Sequence, residues 1–137
     1  MEVVYASSQE TGEGDAANLV DGDPNTTWHT MYSVTVAKYP HWVDFDAGEA
    51  KNIKGFIYLP RQDGGGNGNI KDYSLQVSMD GKNWGDTVAK GTFKRGDKEQ
   101  RVMLSKPVQA RYIRFTGLSS QNGADFAGGA EFSVIAD

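Results

Sequence analysis

The stretch IKDYSLQVSMDGKNW, residues 70–84, alternates apolar and polar side chains and then reaches a turn. Apolar residues occupy every second position from Tyr73 to Met79, and Ser or Gln fills the positions between them. Because successive side chains of a strand point to opposite faces, this alternation predicts a β-strand with one face in a core. The Asp80-Gly81 step that follows is typical of a tight turn between antiparallel strands.

The rest of the chain continues this pattern in both directions. Short apolar or alternating runs are separated by Gly, Asp and Asn, and helical periodicity is nearly absent, so the sequence predicts an all-β protein. The eight predicted strands are EVVYASS, HWVDFDA, NIKGFIYLP, DYSLQVSM, TVAKGTF, EQRVMLS, ARYIRFTGL and AEFSVIA. We expect one domain over residues 1–137, an eight-stranded antiparallel β-sandwich of jelly-roll type.

Composition excludes several classes of partner and site. The chain has 137 residues, a formal net charge of −4 and no cysteine. A nucleic-acid-binding surface would normally be basic, so we expect no nucleic-acid partner. The lack of cysteine excludes disulfides and thiolate metal sites. No apolar stretch approaches the roughly 20 residues of a membrane span, so we expect no membrane insertion.

The N-terminus indicates a domain taken from a longer protein. Met1 is followed at once by strand-like residues, without the basic and apolar segments of a signal peptide. We therefore expect the natural gene to encode more than this domain.

The loop within ANLVDGDPNTTWHT, residues 17–30, concentrates oxygen-bearing side chains. They are Asp21, Asp23, Asn25 and Thr26. Hard cations such as Ca²⁺ need six to eight oxygen ligands, and such a loop supplies part of a shell. It is not an EF-hand, because Thr26 replaces the glycine of that motif and Tyr32 replaces its bidentate Glu. The residues alone leave open a cation site or an Asx-type turn before a buried Trp28.

The glycine-rich segment PRQDGGGNGN, residues 60–69, raises a second question. It does not match the phosphate-binding pattern G-x-G-x-x-G, because Asn69 occupies the place of the third glycine. Glycine is costly to order, so a sharply bent loop needs a purpose. The loop is either a flexible connector or a shaped turn that presents Arg61 and Asn67.

Six separated motifs together resemble one family. They are NLVDGDPNTTWHT, YPHWVDFDAG, IKGFIYLPRQDG, IKDYSLQVSMDGKNW, ARYIRFTGL and AEFSV. Their order and spacing resemble those of discoidin domains, also called coagulation factor 5/8 type C domains. The branch that the chain resembles most is the family 32 carbohydrate-binding modules. The resemblance covers nearly the whole chain, and it implies an eight-stranded β-sandwich jelly roll, in agreement with the strand pattern.

The resemblance also implies a structural Ca²⁺ that ties the N-terminal loop to the last strand. The residues at the matching positions are Asn18, Asp21, Asp23, Thr26, Ala130 and Glu131. Each of them has a side-chain or carbonyl oxygen able to serve as a ligand.

A sugar-binding site is the second implication of the resemblance. A pyranose presents hydroxyls that need directed polar partners and a C–H face that packs on an aromatic ring. The matching residues are His29, Arg61, Asn67 and Phe126, with Tyr32 as a second aromatic ring for an extended ligand. The alternative readings are a rim histidine for His29, a surface ion pair for Arg61 and burial for Phe126.

Two positions of this site have alternatives. The loop GGGNG is longer than the corresponding family loop, so Gln62, Asp63 or Asn69 could take the place of Asn67. Glu10 or Glu13 could supply the acidic residue that some members draw from the N-terminal segment.

The remaining aromatic residues are assigned to structure. Trp28, Trp42 and Trp84 each lie in a strand or turn motif of the fold, and we predict that all three belong to the core. His41, next to Trp42, is predicted to be structural or on the surface rather than a ligand.

The leading functional hypothesis is a non-catalytic module that binds galactose- or N-acetylhexosamine-type glycans and targets an attached glycoside hydrolase to its substrate. Galactose-, N-acetylgalactosamine- and N-acetyllactosamine-type glycans are favoured, and N-acetylglucosamine, fucose and uronate ligands are left open by these residues. We expect it to belong to a larger bacterial glycoside hydrolase or surface protein that is extracellular, periplasmic or attached to the cell surface. As an isolated domain it is expected to be a monomer.

Two other functional classes compete with this one. An enzyme for glycoside hydrolysis needs two carboxylates facing each other across a cleft, and the sequence singles out no such pair. It also lacks the G-x-S-x-G and H-E-x-x-H motifs. The second alternative is a discoidin domain for adhesion or protein interaction at a cell surface.

Overall fold

The computed structural model describes residues 1–137 and consists almost entirely of β-strands. The strands are β1 (Glu2–Ala6), β2 (Trp28–His29), β3 (His41–Leu59), β4 (Asp72–Ser78), β5 (Ala89–Thr92), β6 (Gln100–Gly117), β7 (Gly128–Gly129) and β8 (Glu131–Ala136). One 3₁₀ helix, Ala16–Val20, completes the regular structure. No helix in the structure has the length and apolar character needed to cross a membrane.

All strand pairs are antiparallel, and two long strands run through the whole molecule. The hydrogen-bonded order is β1-β3-β6-β4-β5, with β8 also paired to β3, while β2 and β7 form a separate two-stranded ladder. Strand β1 pairs with the first half of β3 and β8 pairs with its second half, on either side of a register shift between Asp46 and Lys51. The halves of β3 and β6 therefore belong to different layers of the β-sandwich.

This arrangement confirms the fold class and changes the boundaries of the strands. HWVDFDA and NIKGFIYLP are the two halves of β3, and EQRVMLS and ARYIRFTGL are the two halves of β6. The ladder of β2 and β7 is absent from the predicted strands, because two residues are too few to show alternation. The structure and the prediction both have eight strands. In the structure, four predicted strands merge into β3 and β6, and the short strands β2 and β7 are added.

The core lies between the two layers and is mainly aromatic. Phe45 in the first half of β3 stacks on Phe132 of β8, with ring centroids 4.5 Å apart. Tyr73 of β4 stacks on Phe93 at 4.2 Å. Such pairs contribute about 0.5–1.5 kcal/mol each beyond the burial of their area. Strand β4 shows the predicted alternation, with Tyr73 and Leu75 buried.

The structure corrects the placement of Trp42, Trp84 and Met79. Trp28 is fully buried as predicted, but Trp42 and Trp84 are only partly buried and lie outside the core. Because the neighbouring Val43 points inward, the alternation of β3 turns Trp42 outward. Met79 is 58% exposed, since the alternation of β4 ends at the turn that begins with Ser78.

Trp42 and Trp84 flank the guanidinium group of Arg114 on the outer face of the sheet. The central carbon of that group is 5.6 Å from the Trp42 ring centroid and 4.5 Å from the Trp84 ring centroid. Arg114 also forms a bidentate ion pair with Asp44. Cation–π contacts of this kind hold the two indoles on the surface of the sheet.

Candidate functional site

An open cavity of about 370 Å³ lies at the end of the sandwich that carries the β2–β7 ladder. Its lining includes all five residues predicted to bind a ligand. They are His29, Tyr32, Arg61, Asn67 and Phe126, together with Glu13, Gly14 and Thr27. These residues come from separate segments of the chain, so the cavity exists only in the folded domain.

The β2–β7 ladder sets one wall of the cavity. Trp28 pairs with Gly129, and His29 pairs with Gly128. A Cβ atom at Gly128 would lie 2.5 Å from the carbonyl oxygen of Trp28, so only glycine permits this approach. The buried Tyr58 hydroxyl donates a hydrogen bond to the Gly128 carbonyl at 2.6 Å. With Trp28 in the core, the next residue, His29, reaches the rim.

The contacts of His29 place a hydrogen on one of its two ring nitrogens. Its Nδ1 atom is 2.6 Å from the carbonyl oxygen of Thr30, which can only accept a hydrogen bond. Nδ1 therefore carries the hydrogen, and a neutral ring leaves Nε2 as an acceptor for a hydroxyl group. The ring centroid is 5.1 Å from those of Tyr32 and Phe126, so the three rings form an aromatic corner.

Two glutamates hold the Tyr32 segment. The carboxylate of Glu10 accepts the backbone N–H groups of Tyr32 and Ser33, both at 2.9 Å. The Tyr32 hydroxyl donates to the carboxylate of Glu13, and this bond raises the pKa of Tyr32. Of the two predicted acidic candidates, Glu13 lines the cavity and Glu10 supports its rim.

Arg61 is fixed by the glycine loop that follows it. Its Nη1 atom donates to the carbonyl oxygen of Asn67 at 3.1 Å, and its Nη2 atom donates to Asp63 at 2.6 Å. The guanidinium group holds the pKa of the Asp63 carboxyl below its usual range. The loop turns back because Gly64 and Gly66 have positive φ angles of 79° and 67°. It is therefore a shaped turn that places Asn67 beside Arg61.

The three alternatives to Asn67 have other contacts and do not line this cavity. Asn69 is buried, and its side-chain oxygen accepts the backbone N–H of Arg61 at 3.1 Å. Gln62 donates to the carbonyl oxygens of Pro60 and Asp97. Asp63 forms an ion pair with Arg61, as the alternative interpretation of Arg61 predicts. The Arg61 side chain nevertheless lines the cavity.

Two residues that the sequence does not assign to the site, Tyr39 and His41, hold the segment of Phe126 in place. The Tyr39 hydroxyl donates to the Phe126 carbonyl at 2.5 Å, and Nε2 of the buried His41 donates to the Asp125 carbonyl at 2.7 Å. Burial lowers the pKa of His41, so its ring stays neutral. Phe126 itself is partly exposed, which leaves its ring available at the cavity wall.

The resulting surface combines three kinds of group within one small cavity. Arg61 and Asn67 offer N–H donors, His29 offers an acceptor, and Phe126 offers an aromatic face. A shallow site of this composition matches the mixture of hydroxyls and C–H groups on a monosaccharide.

The residues predicted to bind calcium lie in the 3₁₀ helix and the loop that follows it and at the start of β8, outside the cavity lining. The Thr26 hydroxyl is 2.5 Å from a carboxylate oxygen of Asp21 and 3.1 Å from the carbonyl oxygen of Asp23. Asn18 lies in the 3₁₀ helix just before this loop, and its carbonyl accepts the Asp21 N–H. Ala130 is buried immediately before Glu131, which faces the loop from β8.

The two carboxyl groups of Asp21 and Glu131 face each other. One Glu131 oxygen, Oε1, is buried and has no hydrogen-bond partner. Burial and the neighbouring Asp21 carboxylate raise the pKa of Glu131 to about 7. An orphaned carboxylate oxygen beside a second carboxylate and a hydroxyl is a donor set that suits a hard cation.

The loop over residues 21–26, which we call the acidic loop, also contains the hydrogen bonds of the Asx-type turn that the sequence leaves open as an alternative. A carboxylate oxygen of Asp21 accepts the Asp23 N–H at 2.8 Å, and one of Asp23 accepts the Asn25 N–H at 2.9 Å. No group of three or more His, Cys, Asp or Glu side chains converges anywhere in the structure. A cation here would therefore depend on hydroxyl and carbonyl oxygens as well as on the two facing carboxyl groups.

A β-sandwich with a polar and aromatic cavity among the loops at one end is the architecture expected of a discoidin-type carbohydrate-binding module. The chain belongs to the F5/8 type C domain family, which matches residues 3–132.

Two curated proteins contain segments similar to this chain. A sialidase of Micromonospora viridifaciens is 37% identical over 137 residues, which cover 98% of this chain and 21% of the sialidase. A galactose oxidase of Gibberella zeae is 35% identical over 133 residues, which cover 96% of this chain and 19% of the oxidase. The chain spans about a fifth of the length of these relatives.

Solved structures from Clostridium perfringens share the fold over nearly the full length. One, solved in complex with GalNAc-β-1,3-galactose, has a TM-score of 0.87 and 32% identity, covering 96% of this chain and 93% of its own. The family 32 module of NanJ, solved in complex with galactose, has a TM-score of 0.84 and 29% identity, with coverage of 95% and 90%. These similarities support the carbohydrate-binding class.

Proposed function

We propose that this domain binds glycans ending in galactose or N-acetylgalactosamine and brings an attached glycoside hydrolase to its substrate. The observation that carries the proposal is the convergence of His29, Arg61, Asn67 and Phe126 on one cavity of monosaccharide size. The galactose and GalNAc-β-1,3-galactose in the complexes of the two similar modules support the choice of sugar.

The direction of the polar groups favours a sugar with an axial hydroxyl. Such a hydroxyl can donate to Nε2 of His29 and accept from Arg61 or Asn67, while the C–H face of the ring packs on Phe126. A few hydrogen bonds and one stacked ring correspond to a Kd between about 1 mM and about 1 μM. Weak binding of this kind is sufficient for a module that raises the local concentration of a tethered catalytic domain.

The wider setting follows from the same proposal. The domain would be one part of a longer extracellular, periplasmic or cell-surface protein, and monomeric when isolated. A Ca²⁺ ion would be held by Asp21, Thr26 and Glu131 with carbonyl oxygens of Asn18, Asp23 and Ala130. The ion would neutralise the facing carboxylates and join the acidic loop to β8.

An NMR titration tests this proposal. The ¹⁵N-labelled domain is titrated with galactose, N-acetylgalactosamine, N-acetyllactosamine and N-acetylglucosamine while calcium is present. We expect saturable shifts around His29, Arg61, Asn67 and Phe126, with the galactose-configured sugars binding most tightly. Absence of shifts at these positions with all four sugars would refute the proposal.

A pair of arginine variants locates the site. Arg61→Ala should weaken galactose binding by more than about tenfold, because hydrogen bonds from a charged group are each worth about 1.5–3 kcal/mol. Arg111→Ala is the matched control, because Arg111 pairs with Asp46 and does not line the cavity. Equal loss of binding in both variants would contradict the assignment of Arg61.

A further inference from the structure

A second cavity of about 360 Å³ lies next to the first and has no hydrophobic residue in its wall. Arg61 lines both cavities. The two are also linked by Asn122 of the second cavity, whose side-chain N–H donates to the side-chain oxygen of Asn67 at 2.9 Å. A ligand in the first cavity therefore has a polar space directly beside it.

Four of the ten residues that line the second cavity are glycines. They are Gly64, Gly65 and Gly66 of the glycine loop and Gly96 of a second loop. Cβ atoms placed on Gly64 or Gly96 would meet no other atom within 4 Å, so the space beyond these residues is open. A substituent of a bound sugar can reach the backbone here without displacing a side chain.

The unpaired positive charge in this cavity belongs to Arg95. The charge of Arg61 is paired with Asp63, although some of its N–H groups, including that of Nε, stay free for a neutral sugar. Arg95 donates to the carbonyl oxygen of Gln121 at 3.1 Å and has no carboxylate within 4.0 Å. Its planar group keeps further N–H donors for an anionic oxygen.

The segment around Arg95 is positive although the whole chain is negative. KRGDKEQR, residues 94–101, contains four basic and two acidic side chains, on a chain with a formal net charge of −4. Neither Lys94 nor Lys98 is in an ion pair. Asp97 is the acidic residue in the lining of the second cavity, and it opposes the charge of Arg95 there.

We propose that the second cavity is a subsite for an anionic substituent, a sulfate or carboxylate, of a glycan whose galactose occupies the first cavity. Arg95 is the residue that determines this specificity, and it acts by donating hydrogen bonds to the anionic oxygens. The inference rests on the proposed function, since it needs a sugar in the first cavity to deliver the anion.

Matched neutral and anionic ligands test the subsite by NMR titration. Lactose is compared with lactose sulfated on carbon three or carbon six of its galactose, and galactobiose is compared with digalacturonate. The readout is the ratio of the neutral Kd to the anionic Kd. We expect a ratio of about five for at least one pair at low salt, falling towards one in about 500 mM NaCl. The pair with the larger ratio identifies sulfate or carboxylate as the anion.

Three variants separate a direct contact from a diffuse field. Arg95→Gln should bring the ratio to about one, whereas Lys94→Gln, which removes the same charge from a residue outside the second cavity, should keep most of it. Asp97→Asn should raise the ratio, because it removes the opposing carboxylate.

The possible failures are distinguishable. If neither lactose nor galactobiose binds, the proposed function fails and the subsite fails with it. If they bind but every ratio is near one, only the subsite is refuted. Equal loss of the ratio in Arg95→Gln and Lys94→Gln would also refute it, since the effect would then come from net charge alone.

Discussion

The sugar-sized cavity and the acidic loop share the β2–β7 ladder but differ in how their polar groups are satisfied. In the cavity, His29, Arg61 and Glu13 are each bonded to another group of the protein, and the buried atom without a partner is an N–H donor, Nε of Arg61. In the acidic loop, Asp21 faces Glu131, and one Glu131 oxygen is buried without a partner. The cavity therefore holds its shape without a ligand, whereas the loop contains a repulsion that only a cation or a proton relieves.

The sequence distances show how closely the two regions are joined. His29 lies three residues after Thr26, and Phe126 lies five residues before Glu131. Between them, the ladder pairs residues 28 and 29 with residues 129 and 128. The β2–β7 ladder thus adjoins both the cavity and the acidic loop, and its disruption should damage both.

The largest expected effect is therefore that of Gly128→Ala. The new Cβ atom would lie 2.5 Å from the carbonyl oxygen of Trp28, so strands β2 and β7 would have to move apart. We expect a loss of more than about 3 kcal/mol in the free energy of unfolding, measured by urea denaturation. Gly85→Ala is the control, because its Cβ atom would meet nothing within 4 Å. A Gly128→Ala domain as stable as the control would show that the ladder is not a tight element.

The second largest effect should be that of calcium removal, which should lower the stability of the domain through the acidic loop and leave the cavity in place. A ligand that binds the folded state at about 100 times its Kd stabilises it by about 2.7 kcal/mol, so chelation should lower the Tm by several degrees. Glu131→Gln should abolish this dependence on calcium, whereas Glu99→Gln, at an exposed position, should preserve it. An unchanged Tm on chelation would favour the Asx-turn reading of the loop.

The fold was predictable from the sequence wherever alternation was long enough to be read. Residues 73–77 alternate, and they lie in β4 as expected. The sequence predicts HWVDFDA and NIKGFIYLP as two separate strands, but the chain continues between them as β3, through a register shift into the other layer. The prediction that Trp42 belongs to the core is wrong. The alternation of Val43 and Phe45, both buried, would have placed Trp42 on the opposite, outward face of the strand.

The candidate site was only partly predictable for a different reason. The five lining residues came from the family resemblance, and the turn that returns Asn67 to Arg61 is local enough to be anticipated from its glycines. The supports from Tyr39 and His41 bond to backbone carbonyls more than 80 residues away along the chain. No local pattern encodes such a contact, because any residue can supply the carbonyl.

Removal of one of these supports is a milder disturbance of the cavity. Tyr39→Phe deletes the hydrogen bond to the Phe126 carbonyl and should cost about 1 kcal/mol in the free energy of unfolding. Because Phe126 loses an anchor, galactose affinity should also fall, by about two- to threefold. Calorimetric unfolding and NMR titration measure the two effects. A variant with full sugar affinity would show that the aromatic corner of His29 and Tyr32 is sufficient to position Phe126.

The smallest effect should be that of calcium on sugar affinity. If the cavity is held by its own hydrogen bonds, chelation at a temperature well below unfolding should change the galactose Kd by less than about twofold, or about 0.4 kcal/mol. The Kd is measured with and without chelator on the wild-type domain, and Glu131→Gln serves as the control that no longer responds to the ion. A tenfold loss of affinity on chelation would contradict the independence of the two regions. It would mean that the ladder transmits the repulsion between Asp21 and Glu131 to His29 and Phe126, and that the cation helps to shape the sugar site.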